Sequence, residues 1–134
     1  MIVVDTNIIA YLYLSSERST QAGQALLRDP DWAAPLLWRS EFRNVLALYI
    51  RKKILSLEDA LQIMNEALDL MSEREYEVTS FRVLDLAALS TCSAYDCEFV
   101  GLAQDLNLPF VTVDSQVLEQ FPRVAIALDD FLAG

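Results

Sequence analysis

Residues 2–7 of the chain read Ile-Val-Val-Asp-Thr-Asn, and residues 110–114 read Phe-Val-Thr-Val-Asp. Each stretch is a short apolar, β-branched run that ends in an acid and is followed by apolar residues at helical spacing. This pattern is typical of a buried strand that runs into a helix. Because ligands of parallel sheets bind beyond the carboxyl ends of the strands, we expect Asp5 and Asp114 at the ligand-binding edge of one sheet.

The other segments of the chain alternate in the same way. Further predicted strands lie at residues 32–34, 76–79 and 124–127. Predicted helices lie at residues 8–14, 19–28, 36–53, 56–71, 80–91 and 93–106, with short helical turns after residue 114 and at the C-terminus. The alternation predicts an α/β fold with a short, mainly parallel central sheet of about four to five strands and helices on both faces.

Length and composition favour one globular domain. The chain has 134 residues, of which 54% are apolar, so residues 1–134 can form a single domain with a well-buried core. No apolar run approaches the roughly 20 residues of a membrane span, and the first residues lack the basic start and cleavage site of a secretory signal. We therefore expect a soluble protein in the cytoplasm.

The sequence contains no histidine and only two cysteines, Cys92 and Cys97. The lack of histidine excludes Ser-His-Asp and Cys-His nucleophilic sites and histidine-ligated zinc. The cysteine spacing fits neither a metal knuckle nor a disulfide framework, so both thiols are expected to be reduced and close to the core. Any catalysis by this chain is therefore expected to depend on carboxylates.

The chain is strongly acidic, with a net charge of −10 from 20 acids and 10 bases. This charge disfavours a passive nucleic-acid-binding module, because contacts with phosphates supply much of the affinity for a polyanion. It is less unfavourable for a metal-dependent nuclease, since bound divalent cations cancel part of the charge where the phosphate docks. The negative charge is also compatible with binding to a basic partner protein.

Glu41 is expected on the buried face of the 36–53 helix. It follows Trp38 by three residues and precedes Val45 and Leu48 by four and seven, which places all four on one stripe. An isolated buried carboxylate is costly, so Glu41 should be protonated, paired or bound to a metal.

Asp96 starts another apolar helix face, because Phe99, Val100 and Ala103 follow it at helical spacing. A purely structural role also explains this acid, since the Ser-Ala-Tyr-Asp sequence that begins at Ser93 is close to a capping box.

Asp5 and Asp114 have a similar structural alternative, because Asp between a strand and a helix is a favoured N-cap. The four acids together carry more information than any one of them. If Asp5, Glu41, Asp96 and Asp114 converge at the strand ends, repulsion should raise some of their pKa values unless a cation lies between them.

Four segments carry these acids: Ile-Val-Val-Asp-Thr-Asn at 2–7, Trp-Arg-Ser-Glu-Phe at 38–42, Ser-Ala-Tyr-Asp at 93–96 and Val-Thr-Val-Asp at 111–114. In order and spacing they resemble the acidic motifs of PIN domains over essentially the whole chain. The similarity is closest to the VapC-type toxin ribonucleases of type II toxin–antitoxin systems, which carry a comparable segment to Tyr-Asp-Cys-Glu-Phe-Val-Gly-Leu-Ala at 95–103. The resemblance implies a single PIN-like nuclease domain over residues 1–134.

By this resemblance the four acids form the catalytic metal site, and their hard oxygen ligands favour Mg²⁺ or Mn²⁺. Polar residues beside the first and last acids would orient ligands or water. These residues are Thr6, Asn7, Thr112 and Ser115. The family often has a basic residue just after its last Asp, whereas this chain has Ser115 and Gln116, so a phosphate contact at that point is not expected.

The resemblance further implies an endoribonuclease that hydrolyses RNA in line and leaves 5′-phosphate and 3′-hydroxyl ends. A 2′,3′-cyclic phosphate route through paired imidazoles is not expected in a chain without histidine. Toxin-type PIN domains dimerise and are silenced by an antitoxin, and the charge of this chain favours basic residues on that partner.

Arg39 and Arg43 flank Glu41 along the helix and are candidate contacts for RNA phosphates beside the site. Ordinary surface charge is the structural alternative for both.

Two other functions remain open at this point. A catalytically idle PIN fold could serve as a protein-interaction module, although the presence of all four acids argues against it. A nuclease with the same site could act on DNA or on structured flaps, because no residue distinguishes the sugar. Metal binding without turnover would identify the first, and cleavage of a 2′-deoxy substrate the second.

Overall fold

The computed structural model describes residues 1–134, the whole chain. Five strands form one sheet: β1 (Ile2–Val4), β2 (Trp32–Pro35), β3 (Glu75–Tyr76), β4 (Phe110–Thr112) and β5 (Ala125–Ala127). Their order is β3-β2-β1-β4-β5, and every neighbouring pair is parallel. The predicted α/β class and its short parallel sheet are confirmed.

Eight helices connect and flank the strands. They are α1 (Thr6–Tyr13), α2 (Ser19–Arg28), α3 (Leu37–Arg51), α4 (Leu57–Met71), α5 (Ser80–Ala88), α6 (Ala94–Leu106), α7 (Ser115–Gln120) and α8 (Leu128–Ala133). No helix combines the length and the apolar character that crossing a membrane requires.

The central strand β1 determines where the chain places its acids. Its three residues are all buried, which requires helices on both faces of the sheet. The register pairs Val4 with Val111 of β4, so the two strands end at the same edge. Asp5 and Asp114 follow these strand ends, as the sequence predicts.

The buried face of α3 differs from the prediction. Trp38, Phe42 and Leu46 are its buried residues, whereas Leu48 is 44% exposed. The two aromatic rings pack with centroids 6.1 Å apart, and this contact turns the helix so that the row at four-residue spacing faces the core. Glu41 therefore lies half-buried at the border of the buried face rather than at its centre.

Strand β3 and helix α5 are shorter than predicted. The strand ends at Tyr76 instead of residue 79, because Thr79 caps α5 by accepting a hydrogen bond from the backbone N–H of Arg82 at 3.3 Å. The helix itself ends at Ala88, three residues before the predicted end. Most other boundaries agree to within one or two residues.

The N-terminus of α6 is fixed by a cap and by two thiols. Ser93 Oγ accepts a hydrogen bond from the backbone N–H of Asp96 at 3.0 Å. Cys92 and Cys97 are free and buried, and they occupy the positions before the cap and in the second turn where apolar side chains pack together. Burial raises the pKa of both thiols, which favours their protonated form.

Candidate active site

A cavity of about 270 Å³ opens at the carboxyl edge of the sheet. All four acids singled out in the sequence line it: Asp5, Glu41, Asp96 and Asp114. They come from the end of β1, the first half of α3, the first turn of α6 and the end of β4. The fold thus gathers acids that are separated by up to about a hundred residues into one site.

Asp5 is the most buried of the four, with 9% of its surface exposed. Its Oδ1 accepts the backbone N–H of Ile8 at 3.1 Å, and its Oδ2 accepts the hydroxyl of Thr112 at 2.5 Å and the backbone N–H of Val113 at 3.2 Å. Burial raises the pKa of Asp5, and these hydrogen bonds oppose the shift. Asp5 therefore caps α1 and lines the cavity at the same time.

Asp114 also combines both roles. It caps α7 through Oδ1, which accepts the backbone N–H groups of Gln116 and Val117 at 2.9 and 3.1 Å. Its own backbone N–H donates to Thr112 Oγ1 at 3.1 Å. Because both capping bonds use Oδ1, the other carboxylate oxygen is available to a ligand in the cavity.

Glu41 is oriented by Thr6, whose hydroxyl donates to Glu41 Oε1 at 2.7 Å. Burial makes the largest contribution to a raised pKa of Glu41, and the hydrogen bond from Thr6 opposes it. Repulsion from Asp96, Asp5 and Glu98 raises that pKa further. Glu41 thus lies within electrostatic reach of two of the other predicted acids.

Asp96 completes the set from the first turn of α6. Burial raises its pKa most, the charge of Asp114 raises it further, and hydrogen bonding with Ser93 opposes both. Asp96 therefore takes part in the cap of α6 through its backbone N–H and also lines the cavity.

The donor set of the cavity fits a hard divalent cation. Burial raises the pKa of Asp5, Glu41 and Asp96, and like charges raise those of Glu41 and Asp96 further, so a cation among these acids would relieve both costs. No three Asp, Glu or Cys side chains lie close enough together to bind one ion directly. Mg²⁺ is compatible with that spacing, because it keeps several waters and uses one or two protein carboxylates.

The polar residues predicted beside the acids divide into two groups. Thr6, Asn7 and Thr112 line the cavity, and Thr6 and Thr112 donate to acids there. Ser115 does not line the cavity and is exposed at the start of α7. The structure thus brings three of the four residues to the cavity.

Neither predicted arginine lines the cavity. Arg39 forms two hydrogen bonds with Glu75, from Nε at 2.5 Å and from a terminal nitrogen at 2.6 Å. Arg43 is exposed and lines a groove between α3 and α4. Two residues along a helix correspond to a rotation of about 200°, so side chains that flank Glu41 in sequence point away from it in space.

Two residues near the site escaped the sequence analysis. Asn44 lines the cavity with Glu41, and its position three residues later on the same helix was the available signal. Glu98 is close enough to raise the pKa of Glu41. No pattern in the sequence distinguishes Glu98 from an acid on a solvent-facing helix.

The fold and cavity define an α/β protein with a carboxylate-lined site at the carboxyl edge of a parallel sheet. The chain belongs to the PIN-domain family, whose model, described as "PIN domain", matches residues 2–126. This match confirms the family that the four acidic segments indicate.

Individual relatives are similar over nearly the full length. The chain is 28% identical over 126 residues to "Ribonuclease VapC3" of Pyrobaculum aerophilum, covering 92% of this chain and 96% of that one. A crystal structure from the same organism superposes with a TM-score of 0.77 at 20% identity, covering 98% and 93% of the two chains. A chain of a toxin–antitoxin complex from Klebsiella pneumoniae superposes with a TM-score of 0.71 at 20% identity, covering 96% of this chain and 98% of that one.

Proposed function

We propose that this chain is a metal-dependent endoribonuclease and the toxin of a toxin–antitoxin pair. One observation carries the proposal: four acids from distant segments line a single cavity at the carboxyl edge of the sheet. The raised pKa values of Asp5, Glu41 and Asp96 support a site that is completed by a cation. The relative named as a ribonuclease supports RNA as the substrate.

In this proposal Asp5, Glu41, Asp96 and Asp114 would hold Mg²⁺ or Mn²⁺, one or two of them directly and the others through waters on the ion. A bound divalent ion supplies a water of lowered pKa and stabilises negative charge on the leaving oxygen. The acids must be deprotonated to bind it, so the hydrogen bonds to Asp5 and Glu41 favour the form that binds.

The remaining contribution of the chain is positioning. Asp5 accepts three hydrogen bonds, which fix its carboxylate and leave about one of its four lone-pair positions for a ligand. Thr6 fixes Glu41 in the same way. Because the cavity lining contains no basic side chain, proton transfer at neutral pH falls to these carboxylates.

The proposed reaction is hydrolysis of a phosphodiester. Oxygen from water forms a bond to phosphorus and its proton passes to a carboxylate of the cavity, the bond from phosphorus to the 3′ oxygen breaks, and the leaving oxygen takes up a proton. The products are a 5′-phosphate and a 3′-hydroxyl end. Carboxylates suffice for this route, whereas the cyclic phosphate route normally uses paired imidazoles, which this chain lacks.

The proposal includes two protein partners. An antitoxin with basic residues would complement the charge of −10 and the acidic cavity. The similarity to a chain in a toxin–antitoxin complex supports this partner. A second copy of the single domain, residues 1–134, would form a homodimer in the cytoplasm.

Cleavage of an end-labelled single-stranded RNA tests the function, with Mg²⁺ or Mn²⁺ and with EDTA as the control. We expect products with 5′-phosphate ends that a 5′-phosphate-dependent exonuclease degrades. The DNA of the same sequence should remain intact. Cleavage of the DNA instead would identify a DNA nuclease, and metal binding without cleavage of either would identify an interaction module.

A further inference from the structure

A second recess adjoins the acid cavity. Its volume is about 290 Å³, and it is lined by Leu37, Ser40, Glu41, Asn44 and Tyr95. Glu41 and Asn44 line both spaces, so the recess opens directly beside the candidate reaction site. This volume is close to the lower end of the range for small-molecule sites, about 300 Å³.

Tyr95 gives the recess an aromatic wall. It lies in the first turn of α6, immediately before Asp96, and is 63% exposed. Aromatic side chains that are exposed beside a nucleic-acid site serve as stacking platforms, because every base presents a π-face.

Asn44 gives the recess an amide. The Asn side chain carries both a hydrogen-bond donor and an acceptor, which suits the edge of a nucleobase. Bases of single-stranded RNA are recognised in this manner, stacked on an aromatic ring and hydrogen-bonded along an edge.

The charge distribution favours such neutral contacts. No Lys or Arg lines the acid cavity or the recess. Arg39 is paired with Glu75, and Arg43 lies in the groove between α3 and α4. Apart from any metal, stacking and hydrogen bonds are therefore the contacts that the lining of these two spaces can offer an RNA strand.

We propose that this recess is a nucleobase subsite, in which Tyr95 stacks on a base of single-stranded RNA next to the cleaved phosphate and Asn44 contacts the edge of that base. This inference rests on the proposed ribonuclease function and adds the form of the substrate and two residues that select it.

The first experiment compares kcat/KM for single-stranded RNA among variants. Tyr95→Ala should lower kcat/KM by about tenfold, chiefly through KM, whereas Tyr95→Phe keeps the ring and should retain the wild-type value. Phe81→Ala is the matched control, because Phe81 is 80% exposed on α5 and lines neither space. If wild type cleaves and Tyr95→Ala cleaves equally well, the subsite is wrong while the ribonuclease function stands.

A second experiment measures stacking without turnover. RNAs that carry 2-aminopurine at successive positions are titrated with Asp5→Asn protein, which retains every residue of the recess. We expect fluorescence quenching at one position of the RNA. The quenching should be lost when Tyr95→Ala is combined with Asp5→Asn in the same chain, and the base preference should change when Asn44→Ala is combined with it. Quenching that is absent at all positions, or that persists in Tyr95→Ala, would overturn the subsite even if the enzyme cleaves RNA.

Discussion

Thr112 and Asp5, 107 residues apart in sequence, are joined by a hydrogen bond of 2.5 Å from Thr112 Oγ1 to Asp5 Oδ2. The same hydroxyl accepts the backbone N–H of Asp114 at 3.1 Å. Thr112 is fully buried, so the hydroxyl that makes these bonds is shielded from solvent. One hydroxyl therefore positions both the first and the last acid of the cavity.

Thr112→Val should weaken both the fold and the site. The substitution keeps the shape of the side chain, but it removes one of the two hydrogen bonds to Asp5 Oδ2 and the partner of the Asp114 backbone N–H, at a cost of about 1–3 kcal/mol in the free energy of unfolding. Loss of a residue that orients a ligand typically lowers metal affinity or activity by about 10–100-fold. Urea denaturation and metal-dependent kcat/KM measure the two effects, and Thr112→Ser should restore most of both. Full activity in Thr112→Val would show that the hydroxyl does not position the acids.

Asp5→Asn should retain the fold and abolish turnover. The amide oxygen can still cap α1 by accepting from Ile8, but the amide nitrogen cannot accept from Thr112 and Val113, and the charge that a cation requires is lost. Asp105→Asn is the matched control, because Asp105 forms an exposed ion pair with Arg82 and such pairs contribute only about 0–1 kcal/mol. Thermal denaturation and the cleavage assay compare the variants. A loss of stability in Asp5→Asn as large as that of a core substitution would assign Asp5 a structural role.

The stability of the metal-free protein should fall as the pH rises from about 4 toward neutrality. The pKa values of Asp5, Glu41 and Asp96 are raised, each chiefly by burial, so the folded state holds more protons than the unfolded state in this window. Stability then decreases with pH until the folded pKa values are passed. Urea denaturation in EDTA across a pH series measures the slope.

Two controls identify the source of that slope. Asp96→Asn should make the free energy of unfolding depend less on pH. Added Mg²⁺ should restore stability near neutral pH, because the ion binds the deprotonated acids. The pKa of Glu75 is shifted in the opposite direction. Hydrogen bonds from Arg39, and to a lesser degree from Trp38, hold that pKa below the usual range. The stability that Glu75 contributes is lost only as the pH falls through that lowered pKa. A slope that is unchanged in Asp96→Asn would contradict the electrostatic description of the cavity.

Glu75→Gln tests the role of Arg39. Glu75 accepts hydrogen bonds from Arg39 and from Trp38 Nε1, the latter at 2.7 Å, and so ties β3 to the start of α3. We expect the free energy of unfolding to fall by about 1–2 kcal/mol. This is near the lower end for charged hydrogen bonds, because the side chain of Arg39 is 38% exposed. If Arg39 acts only through Glu75, the double variant Glu75→Gln/Arg39→Gln should cleave RNA about as fast as Glu75→Gln alone. A further large loss in KM for RNA would restore Arg39 as a phosphate contact.

Much of the fold follows from local sequence patterns. The strand at Ile2–Val4 and the helix at Ser19–Arg28 match the structure residue for residue, since a β-branched apolar run and helical periodicity are signals that the local sequence carries. Asp5 and Asp114 are predicted because each follows a strand, Asp96 because it starts an apolar helix face, and Glu41 because it falls within one. Their gathering depends on parallel strands that end at one edge, which the alternation of elements predicts.

The remaining errors have a tertiary origin. The rotation of α3 depends on the packing of Trp38 against Phe42, and the helical spacing alone allowed a neighbouring face. The pairing of Arg39 with Glu75 joins residues 36 apart, and no local pattern indicates it. Asn44 was detectable from its spacing to Glu41, but a neutral amide gives no sign of function until the cavity is formed.

The central claim is that the four gathered acids support metal-dependent cleavage of RNA. The most direct test measures the cleavage rate of one single-stranded RNA against Mg²⁺ concentration for wild type, Asp96→Asn and Asp105→Asn. We predict that wild type and Asp105→Asn cleave in a metal-dependent manner, and that EDTA or Asp96→Asn abolishes the products. Products that persist in Asp96→Asn or in EDTA, or a folded wild type that cleaves no RNA with either metal, would contradict the claim.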